Sequence, residues 1–288
     1  MKGEGTPFDP SPTLRTSFAQ GRPLVPPGLL LRSAARGIIW FSTSQVDNDM
    51  GDEPRQYYDE LWSRSKVVEP SVWAIWDTIS TYLAGKTDFL EIGAGNRPRI
   101  PITGSYFVDL SAKAMEALRE KDGRCTVGCA EALPFPDAQF DLICAFEIVE
   151  HVPNDKAVLK EIGRVLKKQE RFIFSVPLHM EYWSRHDELA GHMRRYDPTA
   201  LESLLREYEL VIERYNVTFS PRNPCYRNIT AYLATRFWHL GVALEGGLAL
   251  PVYTWLDRRR GIKWKEGNFV EGTRKANNVI IVCRREKN

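Results

Sequence analysis

The feature that most constrains the fold is a regular alternation of short apolar segments with amphipathic segments from residue 89 onward. Apolar strands that alternate with helices form a mostly parallel sheet covered by helices on both faces. The expected strands are residues 89–92, 105–109, 124–127, 140–145, 171–176, 210–217 and 278–284. The expected helices are two in succession over 55–84, then 111–121, 154–168 and 198–207. The sequence therefore predicts a doubly wound α/β fold with a mostly parallel seven-stranded sheet.

Charge and cysteine content narrow the possible classes of protein. The chain has 39 Lys and Arg against 37 Asp and Glu, a net charge of +2. This balance argues against nucleic-acid binding through bulk charge. Five cysteines lack the Cys-x-x-Cys spacing of a zinc or redox site, so we expect free thiols in a reducing, cytoplasmic location. A run of about 18 uncharged apolar residues is absent, so a transmembrane helix is not expected.

Two segments differ from the alternating pattern. Residues 1–49 contain six prolines and no amphipathic period, which predicts a disordered or non-native leader, with a targeting segment as the alternative. The folded domain is then expected over 50–288. Residues 218–275 separate the last two strands and are rich in aromatic side chains, so we interpret them as a helical insertion that forms a substrate lid. Peripheral membrane contact through residues 229–265 is the alternative, because an apolar stretch there precedes a basic patch.

The loop after the first strand predicts a ligand site. It reads Glu91-Ile92-Gly93-Ala94-Gly95, and parallel sheets bind ligands beyond the carboxyl ends of their strands. A dinucleotide fingerprint would require a third glycine where this chain has Pro98, and the Lys-Ser or Lys-Thr of a phosphate loop is absent. The Glu91 carboxylate suits a ligand that carries an ammonium group. Asp109 ends the second strand, where a carboxylate can accept hydrogen bonds from both ribose hydroxyls.

Five stretches together carry a resemblance to a known family. They are residues 89–95, 108–111, 130–136, 140–151 and 191–196. In this order they resemble the class I S-adenosylmethionine-dependent methyltransferases of the type-11 group, over residues 87–217. The resemblance implies a Rossmann-like sheet and S-adenosylmethionine as cofactor.

The resemblance also implies roles for individual residues. Gly93 and Gly95 line the methionine part of the cofactor, Asp109 holds the ribose, and Ala130 and Glu131 flank the adenine. We add Glu91 and Phe146, at the ends of two strands, to the predicted cofactor-binding residues. The chain departs from the family at Cys129, where Asp is usual, and at Arg97, where a third loop glycine is usual.

A second group of residues bears on the chemistry. Glu147, Glu150 and His151 follow the fourth strand and would share one face of a helical turn. With His192 they would form a divalent-metal site, and the arrangement resembles the metal-binding pattern of ubiquinone-type O-methyltransferases and small-RNA 2′-O-methyltransferases. Mg²⁺ bound there would lower the pKa of the acceptor hydroxyl. Without a metal, His151 or His192 would act as the general base.

Three functions follow from these patterns. The first is methyl transfer from S-adenosylmethionine to a small-molecule or lipid-like acceptor, at an oxygen atom. The second is metal-dependent 2′-O-methylation of RNA. The third is a non-catalytic subunit that binds the cofactor and regulates a partner.

Overall fold

The computed structural model describes residues 53–218, 258–259 and 261–286. The predicted leader, residues 1–49, lies outside the described residues, as does most of the predicted insertion. Within the described residues, no helix is both long and apolar enough to cross a membrane.

A seven-stranded sheet forms the centre of the molecule. Its strands are β1 (Phe89–Ile92), β2 (Tyr106–Asp109), β3 (Arg124–Val127), β4 (Phe140–Phe146), β5 (Leu166–Pro177), β6 (Leu210–Thr218) and β7 (Asn278–Arg285). Their order is β3-β2-β1-β4-β5-β7-β6. All neighbouring pairs are parallel except those of β7, which is antiparallel to both β5 and β6. The predicted Rossmann-like α/β fold is confirmed.

The described helices are α1 (Glu53–Ser63), α2 (Trp76–Thr81), α3 (Ala112–Arg119), α4 (Asp155–Val165), α5 (Arg185–Ala190), α6 (Pro198–Glu207) and α7 (Phe269–Thr273). Single 3₁₀ turns occupy Pro70–Val72, Val149–His151 and Met180–Tyr182. Ser111, Asn154 and Asp197 cap α3, α4 and α6 by accepting hydrogen bonds from free backbone N–H groups of the first turn. These caps explain why the three helices begin close to the positions that the sequence predicts.

Alternation along the strands divides the core between the two faces of the sheet. In β5, Phe172 and Phe174 are buried on the face covered by α4 and α6, whereas Ile173 is buried on the other face. Phe107 and Met115 belong to that second face, where α1 and α3 pack. Both faces are therefore covered, as a parallel sheet requires.

Two connections differ from the expected pattern. The second of the two N-terminal helices is short, since a 3₁₀ turn over Pro70–Val72 precedes α2. Near the other end of the chain, Lys265 pairs with Tyr215 of β6, and Phe269 is 2% exposed against the Tyr215 ring. The final part of the predicted insertion thus packs on the sheet. Residues 219–257 lie outside the described residues, so the lid and the membrane contact stay predictions.

Candidate functional site

The loop after β1 is fastened to the end of β2. Gly93 and Gly95 have φ values of 72° and 52°, which favour glycine. The Gly93 N–H donates to the Val108 carbonyl over 2.8 Å. Asp109 accepts from the Gly95 N–H at Oδ2 and from the Ser111 N–H at Oδ1, each over 2.9 Å. Burial raises the pKa of Asp109 to about 6, although these hydrogen bonds oppose the shift.

Helix α1 covers this loop. A Cβ atom placed on Gly95 would lie 2.2 Å from Cζ2 of Trp62, so the indole ring packs directly on the glycine. Asp59, one turn earlier in α1, accepts hydrogen bonds from the Ser111 Oγ–H (2.6 Å) and the Lys113 N–H (3.0 Å) at the start of α3. The sequence carries no local signal for these contacts, because they join segments that are more than 30 residues apart.

Glu91 fixes the connection between β1 and β2. Its Oε2 accepts hydrogen bonds from the backbone N–H groups of Arg99 (2.7 Å) and Ile100 (3.2 Å). Glu91 is 1% exposed, and burial raises its pKa to about 7 against the effect of the Arg99 charge. Residues 93–105 lead from β1 to β2 without a helix. One carboxylate therefore holds a loop that has no regular structure of its own.

The other predicted cofactor residues lie at the same edge of the sheet. Gly128 donates its N–H to the Asp109 carbonyl over 3.0 Å, which brings Ala130 and Glu131 to the end of β2. Ala130 is fully buried in the core. Phe146 ends β4, the strand next to β1. The structure thus gathers the predicted cofactor-binding residues at the carboxyl ends of β1 to β4.

A histidine–glutamate cluster lies immediately beyond β4. Glu150 and His151 are fully buried in the 3₁₀ turn, and the His192 side chain is 6% exposed. The Nε2 atoms of both histidines lie 3.9 Å from Glu150 Oε1. One carboxylate oxygen of Glu150 and one ring nitrogen of each histidine lie within 4.8 Å of one another. We call these residues the Glu150 trio.

Hydrogen bonds orient both imidazole rings toward Glu150. His151 Nδ1 lies 3.3 Å from the Gly191 carbonyl oxygen, and His192 Nδ1 lies 2.9 Å from Asp187 Oδ1. Because both partners are acceptors, each Nδ1 carries the proton and each Nε2 presents a lone pair. Neither Glu150 oxygen has a hydrogen-bond donor among the described residues, and His151 Nε2 is likewise without a partner there. Three electron-pair donors therefore converge in a buried site, an arrangement that suits a proton or a metal cation.

The electrostatics of the trio agree with this geometry. Burial raises the pKa of Glu150 well above its usual range, and the nearby Glu147 charge raises it further. Burial also lowers the pKa of His151 well below its usual range, and the proximity of His192 adds to the effect. Burial thus favours the neutral forms of Glu150 and His151. A cation bound between them would stabilise the ionised form of Glu150 and so offset the cost of its desolvation.

Asp187 orients His192 from behind. It accepts hydrogen bonds from Arg195 Nε (2.7 Å) and from the Ser184 N–H (2.8 Å) and Oγ–H (2.9 Å). Burial alone would raise the pKa of Asp187, but the hydrogen bonds from His192 and Arg195 hold it well below its usual range. Asp187 is therefore a carboxylate that fixes the ring of a potential ligand, a common arrangement around metal sites.

Glu147 occupies a different position from the one the sequence predicts. It has a φ of 54° and lies before the 3₁₀ turn, so the expected helical face of residues 147, 150 and 151 does not form. Its Oε1 accepts from Ser175 Oγ (2.6 Å) and Asn278 Nδ2 (2.9 Å). Strand β4 ends at Phe146 and the chain bends at Glu147, whose carboxylate binds residues of β5 and β7.

Comparison with known proteins places part of the chain in a family. Residues 90–174 match the family model of the type-11 methyltransferase domain. A demethylmenaquinone methyltransferase of Thermotoga maritima is 32% identical over 117 residues, which cover 40% of this chain and 49% of the relative. A 27-O-demethylrifamycin SV methyltransferase of Amycolatopsis mediterranei is 27% identical over 154 residues, 43% of this chain and 57% of the relative. The chain spans about half the length of these curated relatives.

Solved structures share the fold at low sequence identity. A Galdieria sulphuraria protein, described provisionally as a sarcosine dimethylglycine methyltransferase, gives a TM-score of 0.52 at 15% identity, covering 88% of this chain and 92% of that one. The [4+2]-cyclase SpnF gives 0.51 at 17% identity, covering 88% and 100%. Because a cyclase shares the fold, the fold by itself does not fix the reaction. The match therefore covers residues 90–174, which include the glycine loop and Asp109, and shows that this segment is similar to the type-11 methyltransferase domain.

Proposed function

We propose that the protein transfers a methyl group from S-adenosylmethionine to a hydroxyl oxygen of a small-molecule or lipid-like acceptor. The observation that carries the proposal is the position of the Glu150 trio, which follows β4 at the same sheet edge as Asp109. The proposed donor site therefore lies at the same edge as groups that can accept a proton or bind a metal ion in its place. The name of one relative, which specifies a 27-O position, supports oxygen as the acceptor atom.

The reaction requires alignment and the removal of one proton. The bond between the donor sulfur and the methyl carbon breaks while the bond to the acceptor oxygen forms, and the acceptor proton leaves. The enzyme gains most of its rate from holding the two reactants in line. Asp109, held by the Gly95 and Ser111 N–H groups, would fix the ribose and hence the direction of the sulfur–methyl bond.

The trio fits a divalent transition ion better than the predicted Mg²⁺. Mg²⁺ prefers six oxygen ligands in octahedral geometry, whereas the trio supplies two imidazole nitrogens and one carboxylate. That donor set suits Zn²⁺, Mn²⁺ or Fe²⁺. Glu150, His151 and His192 would hold the ion, and Asp187 would keep His192 in position. When bound, such an ion lowers the pKa of a coordinated hydroxyl.

Without a metal, His192 is the better general base. Its Nε2 lone pair faces Glu150. Asp187 accepts the Nδ1–H and would stabilise the imidazole ring when the ring gains a proton. His151 has only the Gly191 carbonyl behind it, and its deep burial lowers its affinity for a proton. Glu150 would then be neutral and would shape the pocket.

Metal analysis of the purified protein separates the two versions. We expect a bound transition ion by mass spectrometry, and we expect Zn²⁺ or Mn²⁺, but not Mg²⁺, to raise the melting temperature of metal-stripped protein. Glu150→Gln and His192→Ala should abolish this rise. His186→Ala is the matched control, because its ring lies 6.3 Å from the His192 ring and outside the trio. An equal rise in all variants would refute the metal site.

Binding and transfer assays test the function itself. Calorimetry should show binding of S-adenosylhomocysteine, and donor with a labelled methyl group should label hydroxylated small molecules or lipids from a panel. Failure of the wild-type protein to bind donor or product would refute the proposed function. Binding without transfer to any acceptor, including RNA with a free 2′-hydroxyl end, would instead favour the non-catalytic subunit.

A further inference from the structure

Side chains of the protein itself close off the residues that are predicted to bind the donor. Gly93 and Gly95 are buried, and Asp109 is 3% exposed. Helix α1 supplies the part of this cover that lies on the glycine loop, because the buried Trp62 ring packs directly on Gly95. A ligand can therefore reach the loop only when part of this cover moves.

Asp59 fastens α1 to the first turn of α3. Its Oδ1 accepts hydrogen bonds from the Ser111 Oγ–H over 2.6 Å and from the Lys113 N–H over 3.0 Å. Ser111 in turn donates its backbone N–H to Asp109. We call the two hydrogen bonds of Asp59 the latch, and they end two residues away from the carboxylate that is predicted to hold the ribose.

The C-terminal end of α1 is anchored to the glycine loop. Asn96 Nδ2 donates to the carbonyl oxygens of Trp62 and Ser65, each over 2.8 Å. The Asn96 carbonyl accepts from the Val68 N–H over 2.8 Å. The helix thus has a fixed end at the loop and a latched segment one turn away from it, which is the layout of a hinged element.

Three features oppose the closed position of α1. Trp62 Nε1 is a buried donor and Asn96 Oδ1 is a buried acceptor, and neither has a hydrogen-bond partner among the described residues. Contact with water would recover the free energy that these unpaired atoms cost. Burial raises the pKa of Asp109 to about 6, and the charge of the nearby Asp59 adds to the shift. Opening α1 would relieve all three costs, so it requires less free energy than opening a fully paired contact.

We propose that α1 is a gate: the latch holds it over the donor site, and the donor enters only while α1 is displaced. The inference rests on the donor site of the proposed function and adds a conformational step before binding. Such a step reduces the apparent affinity by the fraction of protein that is open. At high ligand concentration the rate of binding then reaches a limit, which is the rate at which α1 opens.

A reversible cross-link tests whether α1 must move. Asp59→Cys with Lys113→Cys places two thiols across the latch, and a short bis-methanethiosulfonate reagent joins them until dithiothreitol is added. Calorimetry should show no binding of S-adenosylhomocysteine to the cross-linked protein and full recovery after reduction. Glu202→Cys with Arg206→Cys is the matched control for the reagent and for the native thiols. Those two side chains pair across one turn of α6, which packs on the other face of the sheet, so this cross-link should leave binding unchanged.

Removing the latch should have the opposite effect on the rate. In stopped-flow tryptophan fluorescence at low S-adenosylhomocysteine concentration, Asp59→Ala should bind about 10–150-fold faster than wild type, the range for lost hydrogen bonds to a charged group. The wild-type rate should level off as the concentration rises, whereas the Asp59→Ala rate should continue to increase. Asp77→Ala is the control, because Asp77 is an exposed aspartate of the neighbouring helix α2 that pairs with Arg258. It should bind at the wild-type rate.

The results separate the gate from the proposed function. Undiminished binding by the protein that is cross-linked across the latch would overturn the gate, and so would equal rates in wild type and Asp59→Ala. A loss of binding that dithiothreitol does not reverse would also count against it, since the donor site would then depend on Asp59 or Lys113 directly. A wild-type protein that binds no S-adenosylhomocysteine would refute the proposed function instead. Binding that is independent of the latch leaves that function in place and removes the gate.

Discussion

Replacing Asp187 with asparagine should destabilise the protein strongly, because Asp187 neutralises a buried arginine. The Asp187 side chain is 0% exposed and that of Arg195 is 2% exposed, with 2.7 Å between Oδ1 and Nε. Breaking a buried ion pair by removing one charge costs about 3–5 kcal/mol. Asparagine keeps one oxygen for these donors, so we expect a loss of about 3 kcal/mol. For a domain of this size, that corresponds to a fall in melting temperature of about 6–12 °C.

The contribution of Asp187 should also depend on pH in a defined direction. Its folded pKa lies below the unfolded value of about 3.9. The stabilisation is therefore complete above that unfolded value and is lost as the pH falls below about 4 toward the folded pKa. The difference in unfolding free energy between wild type and Asp187→Asn should stay constant from pH 6 to 7.5 and shrink in acid.

Urea unfolding followed by circular dichroism measures both effects. Asp137→Asn is the control, because Asp137 also pairs with an arginine but is 78% exposed, and the change should cost less than about 1 kcal/mol. Adding Arg195→Met to Asp187→Asn should restore part of the stability, since the unpaired charge is then gone. The reasoning is refuted if Asp187→Asn and Asp137→Asn have equal effects, or if the double variant is no more stable than Asp187→Asn.

Three further predictions concern the cofactor loop and the trio. Asp109→Asn should weaken S-adenosylhomocysteine binding by about 10–150-fold in calorimetry. The affinity of the wild-type protein should fall as the pH drops below 6, because burial raises the pKa of Asp109 to about 6. An affinity that changes with neither the substitution nor the pH would exclude Asp109 from the site. Gly95→Ala should cost about 1–3 kcal/mol in urea unfolding, because its methyl group would meet the Trp62 ring at 2.2 Å, and a change below 0.5 kcal/mol would contradict the packing of α1 on the loop. Metal-free Glu150→Gln should be at least as stable as metal-free wild type, since its amide can donate to the two Nε2 atoms; a large loss of stability would show that Glu150 has a donor of its own.

The sequence predicts the sheet, and the sheet edge at which Glu91 and Asp109 lie, for a topological reason. Short apolar runs have the length of buried strands, and in a parallel sheet their carboxyl ends must meet at one edge. Glu91 and Asp109 could therefore be placed near each other before any contact was known. The structure confirms the strands and brings these two carboxylates to adjacent strand ends.

The contacts that complete the site could not be predicted in this way. Trp62 reaches Gly95, and Arg99 reaches Trp73, through packing between segments that no periodicity connects. Nothing in the sequence pairs Asp187 with His192, and the fold brings Asp187 Oδ1 to 2.9 Å from His192 Nδ1. The predicted helical face with Glu147, Glu150 and His151 does not form, and the cause is local, because the backbone at Glu147 takes a φ of 54°.

The bend at Glu147 bears on the distance between the proposed donor site and the Glu150 trio. Phe146, immediately before it, contacts the Arg99 guanidinium, and Glu150, three residues after it, belongs to the trio. The Glu147 N–H donates to the Ser175 carbonyl over 3.2 Å, and its carboxylate binds Asn278, so β5 and β7 both hold the turn. A non-glycine residue at positive φ is strained and persists only where its surroundings impose it. Strands β4, β5 and β7 together therefore hold the segment that joins Phe146 to the Glu150 trio. A reaction that depends on alignment requires the distance between the proposed donor site and the proposed proton acceptor to be rigid.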